Sequence, residues 1–201
     1  AAAVAINLEG HGREEIIDGV DLTRTVGWFT TMYPVVFDEP FESISGGIKL
    51  VKETLRQVPN KGIGYGLLKH IAKKDRLPLH IQPEISFNYL GQFEQGQGDG
   101  FGQSSISTGQ AVSPLTTSSY SLSINGMVMN GKLRIIFGYN PYQFDLSSVE
   151  AAANSYKLRL LDIVGHCMGQ DEVERTPSDF SMDNLTFEDL DLIFETLKEK
   201  I

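Results

Sequence analysis

Val4-Ala5-Ile6-Asn7-Leu8-Glu9-Gly10-His11-Gly12-Arg13-Glu14 decides how the rest of this chain is read. Its first five residues are an apolar run broken only by Asn7, with the length and composition of a buried strand. The six that follow place two carboxylates, an imidazole and a guanidinium around two glycines, which no packing requirement asks for. Polar chemistry is therefore concentrated at a strand end. A second stretch, Arg24-Thr25-Val26-Gly27-Trp28-Phe29-Thr30, has the same unforced character, with two large aromatics directly after a glycine.

Outward from these stretches the elements follow from periodicity. Ile44, Ile48, Val51, Leu55 and Val58 recur at steps of four and three, which predicts an amphipathic helix ending before Pro59. Pro59-Asn60-Lys61-Gly62-Ile63-Gly64-Tyr65-Gly66 comes next. Its alternating glycines do not have the spacing of a nucleotide fingerprint and no strand leads into them, so they read as a turn feeding a helix from Leu67 to Lys74. Glu84 to Leu90 alternates polar and apolar residues and predicts a strand, with Ile85, Phe87 and Tyr89 on one face and Asn88 on the other. Gly91 to Ser119 turns to Gly, Ser, Thr and Gln, a long surface loop.

Tyr120 to Met129 and Lys132 to Tyr139 are two strands joined by Asn130-Gly131, a dipeptide suited to tight hairpins because both positions tolerate positive φ. A helix from about Ser148 to Cys167 follows, with Ser147 and Glu150 spaced as a capping box and an apolar face that packs on the sheet. Asp171 to Asp183 reads as a polar exit linker. Thr186-Phe187-Glu188-Asp189 then opens a last amphipathic helix. Two parts result: a domain body at 1–170, and an exit linker with a terminal helix at 171–201.

Composition narrows the function classes. A chain of 201 residues that is 41% hydrophobic can bury a core as one α/β domain. A net charge of −9 and a pI near 4.9 oppose nonspecific binding to nucleic acid or an anionic membrane, since both need basic patches. Lys69, Lys73, Lys74 and Arg76 form a local basic cluster that reads first as a solvated helix face. The single cysteine, Cys167, cannot close an internal disulfide, which fits a reducing cytoplasm, and its apolar neighbours make it a buried structural thiol. Histidines at 11, 70, 80 and 166 show no metal-ligand spacing, and no nucleophile-elbow signature is present.

Five segments in order carry a resemblance: Glu9 to Glu14, Arg24 to Thr30, Met32-Tyr33-Pro34-Val35, Pro59 to Gly66, and Phe87-Asn88-Tyr89-Leu90-Gly91-Gln92-Phe93. The series resembles the epimerization domains of nonribosomal peptide synthetases, within the condensation-domain superfamily. The resemblance implies an α/β fold, a mixed sheet with flanking helices like half of a chloramphenicol-acetyltransferase-like pseudo-dimer. Members have two lobes, and the first carries a His-His-x-x-x-Asp motif that does not occur in this sequence. The expectation is a C-terminal lobe whose N-terminal lobe is missing, with residues 91–119 as the segment that would latch onto it.

The resemblance also implies the chemistry: L-to-D epimerization at the Cα of an aminoacyl or peptidyl thioester, by proton transfer between a histidine of one lobe and a glutamate of the other. Glu9 matches that glutamate. Tyr89 and Asn88 match positions implicated in activity; on a strand they face opposite ways, and Tyr89 is expected in the channel with Asn88 supporting a loop. Arg13 is expected to position Glu9 or Glu14 through a bidentate pair, and His11 to tie its turn to a backbone carbonyl. Arg24, Trp28 and Phe29 are expected as a channel wall, the aromatics anchored in the core. No directly bound cofactor is implied, only the phosphopantetheine arm of a peptidyl carrier domain that delivers substrate. A downstream synthetase module is a further implied partner. Two other readings stay open: condensation-type acyl transfer, and a noncatalytic scaffold or carrier-docking piece.

Overall fold

The computed structural model describes residues 3–38, 40–72, 81–93, 106–107, 109–110, 112–113, 115–170, 173–182 and 185–198. Five strands form one mixed sheet in the order β2-β1-β3-β4-β5: β1 Val4–Gly10, β2 Thr31–Phe37, β3 Ile85–Phe93, β4 Leu122–Met129 and β5 Lys132–Tyr139. β1 pairs antiparallel with β2 and parallel with β3, β3 pairs parallel with β4, and β4 turns back antiparallel into β5. Among the described residues four α-helices flank it: α1 Ile44–Arg56, α2 Tyr65–His70, α3 Leu146–Met168 and α4 Phe187–Lys198. The α/β class and the mixed sheet with flanking helices are as expected.

Register sorts the sheet into two unlike faces. Asn7 is level with Ser86, Ser86 with Ser123, and Asn88 with Asn125, so these residues and Glu9 share one side. Ile6, Leu8, Ile85, Phe87, Leu122 and Ile124 share the other. On this apolar side α3 sets Tyr156 edge-on against Phe137 of β5, ring centroids 5.8 Å apart, and packs beside α1. Among the described residues the buried apolar side chains are Val35, Val149 and Leu190. The core is thinner than the composition suggests.

Several elements differ from their sequence-based expectation. β2 is a full seven-residue strand, though only a motif was recognised there; Pro34 sits in it because β2 is a sheet edge, where a missing N–H costs no ladder bond. α3 begins at Leu146, with Asp145 rather than Ser147 at its N-cap, so the Ser147–Glu150 capping box is not used. Thr186 does cap α4: its hydroxyl accepts from the Asp189 N–H at 3.1 Å, while the Asp189 carboxylate accepts from the Thr186 N–H at 2.9 Å. The hairpin turn is as read, with Asn130 at φ 51° and Gly131 at φ 70°. Cys167 is exposed, not buried, because it lies on a face of α3 that no described element covers. α2 stops at His70, with Ile71 and Ala72 already past its end, short of the expected Lys74, and β3 runs on through Gly91–Phe93 of the expected latch loop; most of that loop, with Lys73, Lys74 and Arg76, lies outside the described residues.

The described part of the expected exit linker, residues 173–182, is a docked strap. Lys49 and Ser45 bind the Glu174 carboxylate, Lys52 and Arg56 bind Asp179, and Ser178 donates its hydroxyl to Glu53. Thr176, 1% exposed, is the most deeply buried side chain described. Burial alone would raise the Glu53 carboxyl, but hydrogen bonds from Ser178 and Thr176, with Arg56 nearby, hold it below its ordinary value. Hydrogen bonds from Lys52 and Arg56 pull Asp179 far below its own.

Candidate active site

Glu9 does not hang at a frayed end. It is the sixth of the seven residues of β1, flanked by β2 through Met32 and by β3. Parallel pairing of Leu8 with Phe87 places the next residue of each strand side by side, and Asn88 donates its Nδ2 hydrogen to Glu9 Oε2 at 2.8 Å. A carboxamide donor fixes the carboxylate without a counter-charge and leaves Oε1 free of protein hydrogen bonds among the described residues.

The side chain found beside Glu9 is thus Asn88, not Tyr89. The Tyr89 ring lies over Gly126 on the opposite face, where an added Cβ would stand 3.2 Å from Tyr89 Cδ2, and the residue is half exposed. A register shift does occur in β3, but between Tyr89 and Gln92, too late to bring the phenol round to Glu9.

The loop after β1 is held by contacts of its own. His11 Nδ1 accepts from the Arg13 N–H at 3.0 Å and its Nε2 meets Glu14 Oε1 at 3.1 Å; the histidine ties the turn as expected, through an N–H rather than a carbonyl. Arg13 pairs with neither glutamate. Its guanidinium donates to the carbonyls of Leu22 and Gly27 and lies 4.3 Å from the Phe29 ring centroid, so it staples the second signature stretch to the first. Gly12 completes this join: at φ 66°, a Cβ there would fall 1.6 Å from the Phe29 carbonyl oxygen. Glu14 instead takes Lys61, Nζ to Oε2 2.7 Å, and that bond lifts the Lys61 ammonium above its ordinary value.

Phe29 is half-buried under Arg13, but Trp28 is 90% exposed and Arg24 is exposed as well. The expected anchoring of both aromatics holds for Phe29 alone. Packing of Gly62 on the Tyr33 ring explains one of the three alternating glycines: it has φ 81°, and a Cβ would lie 2.0 Å from Tyr33 Cδ1. Burial pushes the Tyr33 phenol up, and the Glu14 carboxylate adds to it against Lys61.

On the polar face Glu9 and Asn88 are half-buried, while Asn7 and Ser86 are buried. Asn7, two residues back on the same face, binds the Tyr120 hydroxyl, and with Met32, Tyr120 and residues of α2 it lines a cleft of about 520 Å³. Met32, Leu90 and Ile136 stay substantially in water around the polar centre. No group of His, Cys, Asp and Glu able to hold a metal ion lies among the described residues, and none of their helices is long and apolar enough to cross a membrane.

The condensation-domain family model matches residues 1–186. This chain belongs to the condensation-domain family. Within it, this condensation-family chain is 44% identical to the epimerization domain from the third module of tyrocidine synthetase B, whose crystal structure superposes with a TM-score of 0.76 over 85% of this chain and 39% of that one. It is 43% identical over 197 residues to surfactin synthase subunit 1 of Bacillus subtilis (strain 168), covering 96% of this chain and 6% of that protein. Identity is 46% to tyrocidine synthase 2 of Brevibacillus parabrevis, with the same shares. The chain therefore spans a small fraction of the curated relatives it matches.

The sequence singles out Glu9, and Asn88 only as a loop support, and does not show the contact that joins them. The signal was in the alternation: Asn7 and Glu9 share a face of one strand, Ser86 and Asn88 of another, and their register makes the two polar pairs neighbours.

Proposed function

We propose that this chain forms one wall of an active site that epimerizes, from L to D, the Cα of an aminoacyl or peptidyl thioester carried on the phosphopantetheine arm of a peptidyl carrier domain. The observation that carries the proposal is the Glu9–Asn88 pair, a half-buried carboxylate held by a neutral donor on the polar face of the sheet. The 44% identity to a solved epimerization domain supports the choice of reaction.

Epimerization removes a proton from Cα and returns one to the opposite face. The bond electrons pass into the thioester carbonyl as an enolate, so the proton needs a base held close and the oxygen needs donors. Glu9 serves one face of the carbon. The other is served by a group outside this sequence, which the family resemblance makes the histidine of the His-His-x-x-x-Asp lobe. Asn88 positions Glu9 and keeps its free oxygen toward the substrate. The isolated chain is then inactive. Docking of a carrier domain and passage of product to a downstream synthetase module belong to the same proposal.

The test is α-proton exchange in deuterated water, using the complete domain that contains this sequence and a loaded carrier. Glu9→Gln is expected to slow exchange by about 10²-fold or more. An unchanged rate would remove Glu9 from the mechanism. The family name itself favours a second reading, peptide-bond formation by acyl transfer between two thioesters. A parent that joins two carrier-bound substrates and exchanges no α-proton would establish that one instead.

A further inference from the structure

One polar side chain beside the Glu9–Asn88 pair has no role in the reading above. β3 and β4 are parallel neighbours with Asn88 level with Asn125, so the Asn125 carboxamide stands on the same face, next to that of Asn88. Across the five strands this makes one row: Met32, Glu9, Asn88, Asn125 and Ile136. Glu9 and Asn88 satisfy each other at 2.8 Å. Asn125 is half-buried, and its carboxamide has no hydrogen-bond partner among the described residues.

We propose that Asn125 is a catalytic residue, a hydrogen-bond donor to the thioester carbonyl oxygen as it becomes an enolate. Adjacent strands lie about 4.8 Å apart, so Glu9 and Asn125 are separated by about 10 Å of backbone with Asn88 between them. Both stand on one face with Asn88 between them, so a thioester lying over Asn88 would set its Cα near Glu9 and its carbonyl near Asn125. Glu9 then meets the Cα–H while an Asn125 N–H meets the oxygen. When the proton leaves Cα, its electron pair forms the carbon–carbon double bond and the carbonyl electrons move onto oxygen, where a neutral donor held in place stabilises the charge. Met32 and Ile136, at the two ends of the row, give the site apolar margins. Asn125 is suited to the role because it adds no charge that would have to be undone when the enolate collapses.

This inference rests on the epimerization reading. In the complete domain with a loaded carrier, Asn125→Ala is expected to lower kcat for α-proton exchange by about 10²-fold with KM for the carrier nearly unchanged. Asn125→Asp, close to isosteric and without the donor, should lose at least as much. A second substrate separates donation from support. A carrier-bound phenylglycyl thioester has a more acidic Cα–H and needs less help at oxygen, so Asn125→Ala should cost it markedly less than an alanyl thioester. Equal losses on both substrates would overturn the proposal in favour of a structural role, as would an unchanged rate in either variant. A wild-type domain that exchanges no α-proton would overturn the epimerization reading and this inference together.

Discussion

At the scale of single residues, the site turns on short side chains and absent ones. Asn88 is the only contact that orients Glu9 among the described residues, so Asn88→Leu should lower α-proton exchange about tenfold or more while the fold and carrier affinity persist. An exchange rate within twofold of wild type would show that Glu9 finds its position unaided. Gly12→Ala forces a Cβ onto the Phe29 carbonyl at a positive φ, which should cost about 2 kcal/mol or more in denaturant unfolding. Glu9 was legible through the family resemblance of Glu9 to Glu14, since a carboxylate at a strand end reads by itself as solvated. The sequence pointed to Tyr89 where the structure sets Asn88 against Glu9, because alternation says that two residues part but not which one meets a neighbour's carboxylate. Arg13 departs from its expected carboxylate pair for a similar reason: its partners are main-chain carbonyls, to which residue types give no clue.

At the scale of elements, local chemistry was readable and distant pairing was not. The Asn130-Gly131 hairpin and the Thr186 cap depend on residues within a few positions of one another. The strap at 173–180 depends on α1 side chains more than 120 residues away, as in the 127-residue separation of Lys52 and Asp179, and its polar composition looked like a linker. Its electrostatics predict a pH response. Glu53, Glu174 and Asp179 all have folded values below their ordinary 4.5, 4.5 and 3.8. Groups depressed in this way stabilise docking fully above those values, and the contribution is lost as pH falls through the lower folded ones. NMR signals of Thr176 and Ser178 should therefore move on acidification below about pH 4 before those of β3 and β4 do. Simultaneous loss of both sets would mean that these pairs do not control the strap.

At the scale of the whole molecule, the apolar surface left in water is too extensive to be incidental. Val26, Trp28, Leu115, Met168 and Val173 are all more than four-fifths exposed, and where such side chains cluster, as Val26 and Trp28 do along the second signature stretch, they mark contact areas. Trp28 is the only tryptophan, so it is a built-in probe. Its emission should be water-like and readily quenched by iodide in this chain alone, and shifted to the blue and protected in the complete domain. Equal quenching in both would show that nothing covers the second signature stretch. The strand order also has a kinetic side. β4 and β5 close through a two-residue turn within microseconds, whereas Ile6 must find Ile85 across an intervening 78 residues before β1 and β3 can pair. Glu9 meets Asn88 through that late closure alone, so refolding should restore the far edge of the sheet well before it restores a competent centre.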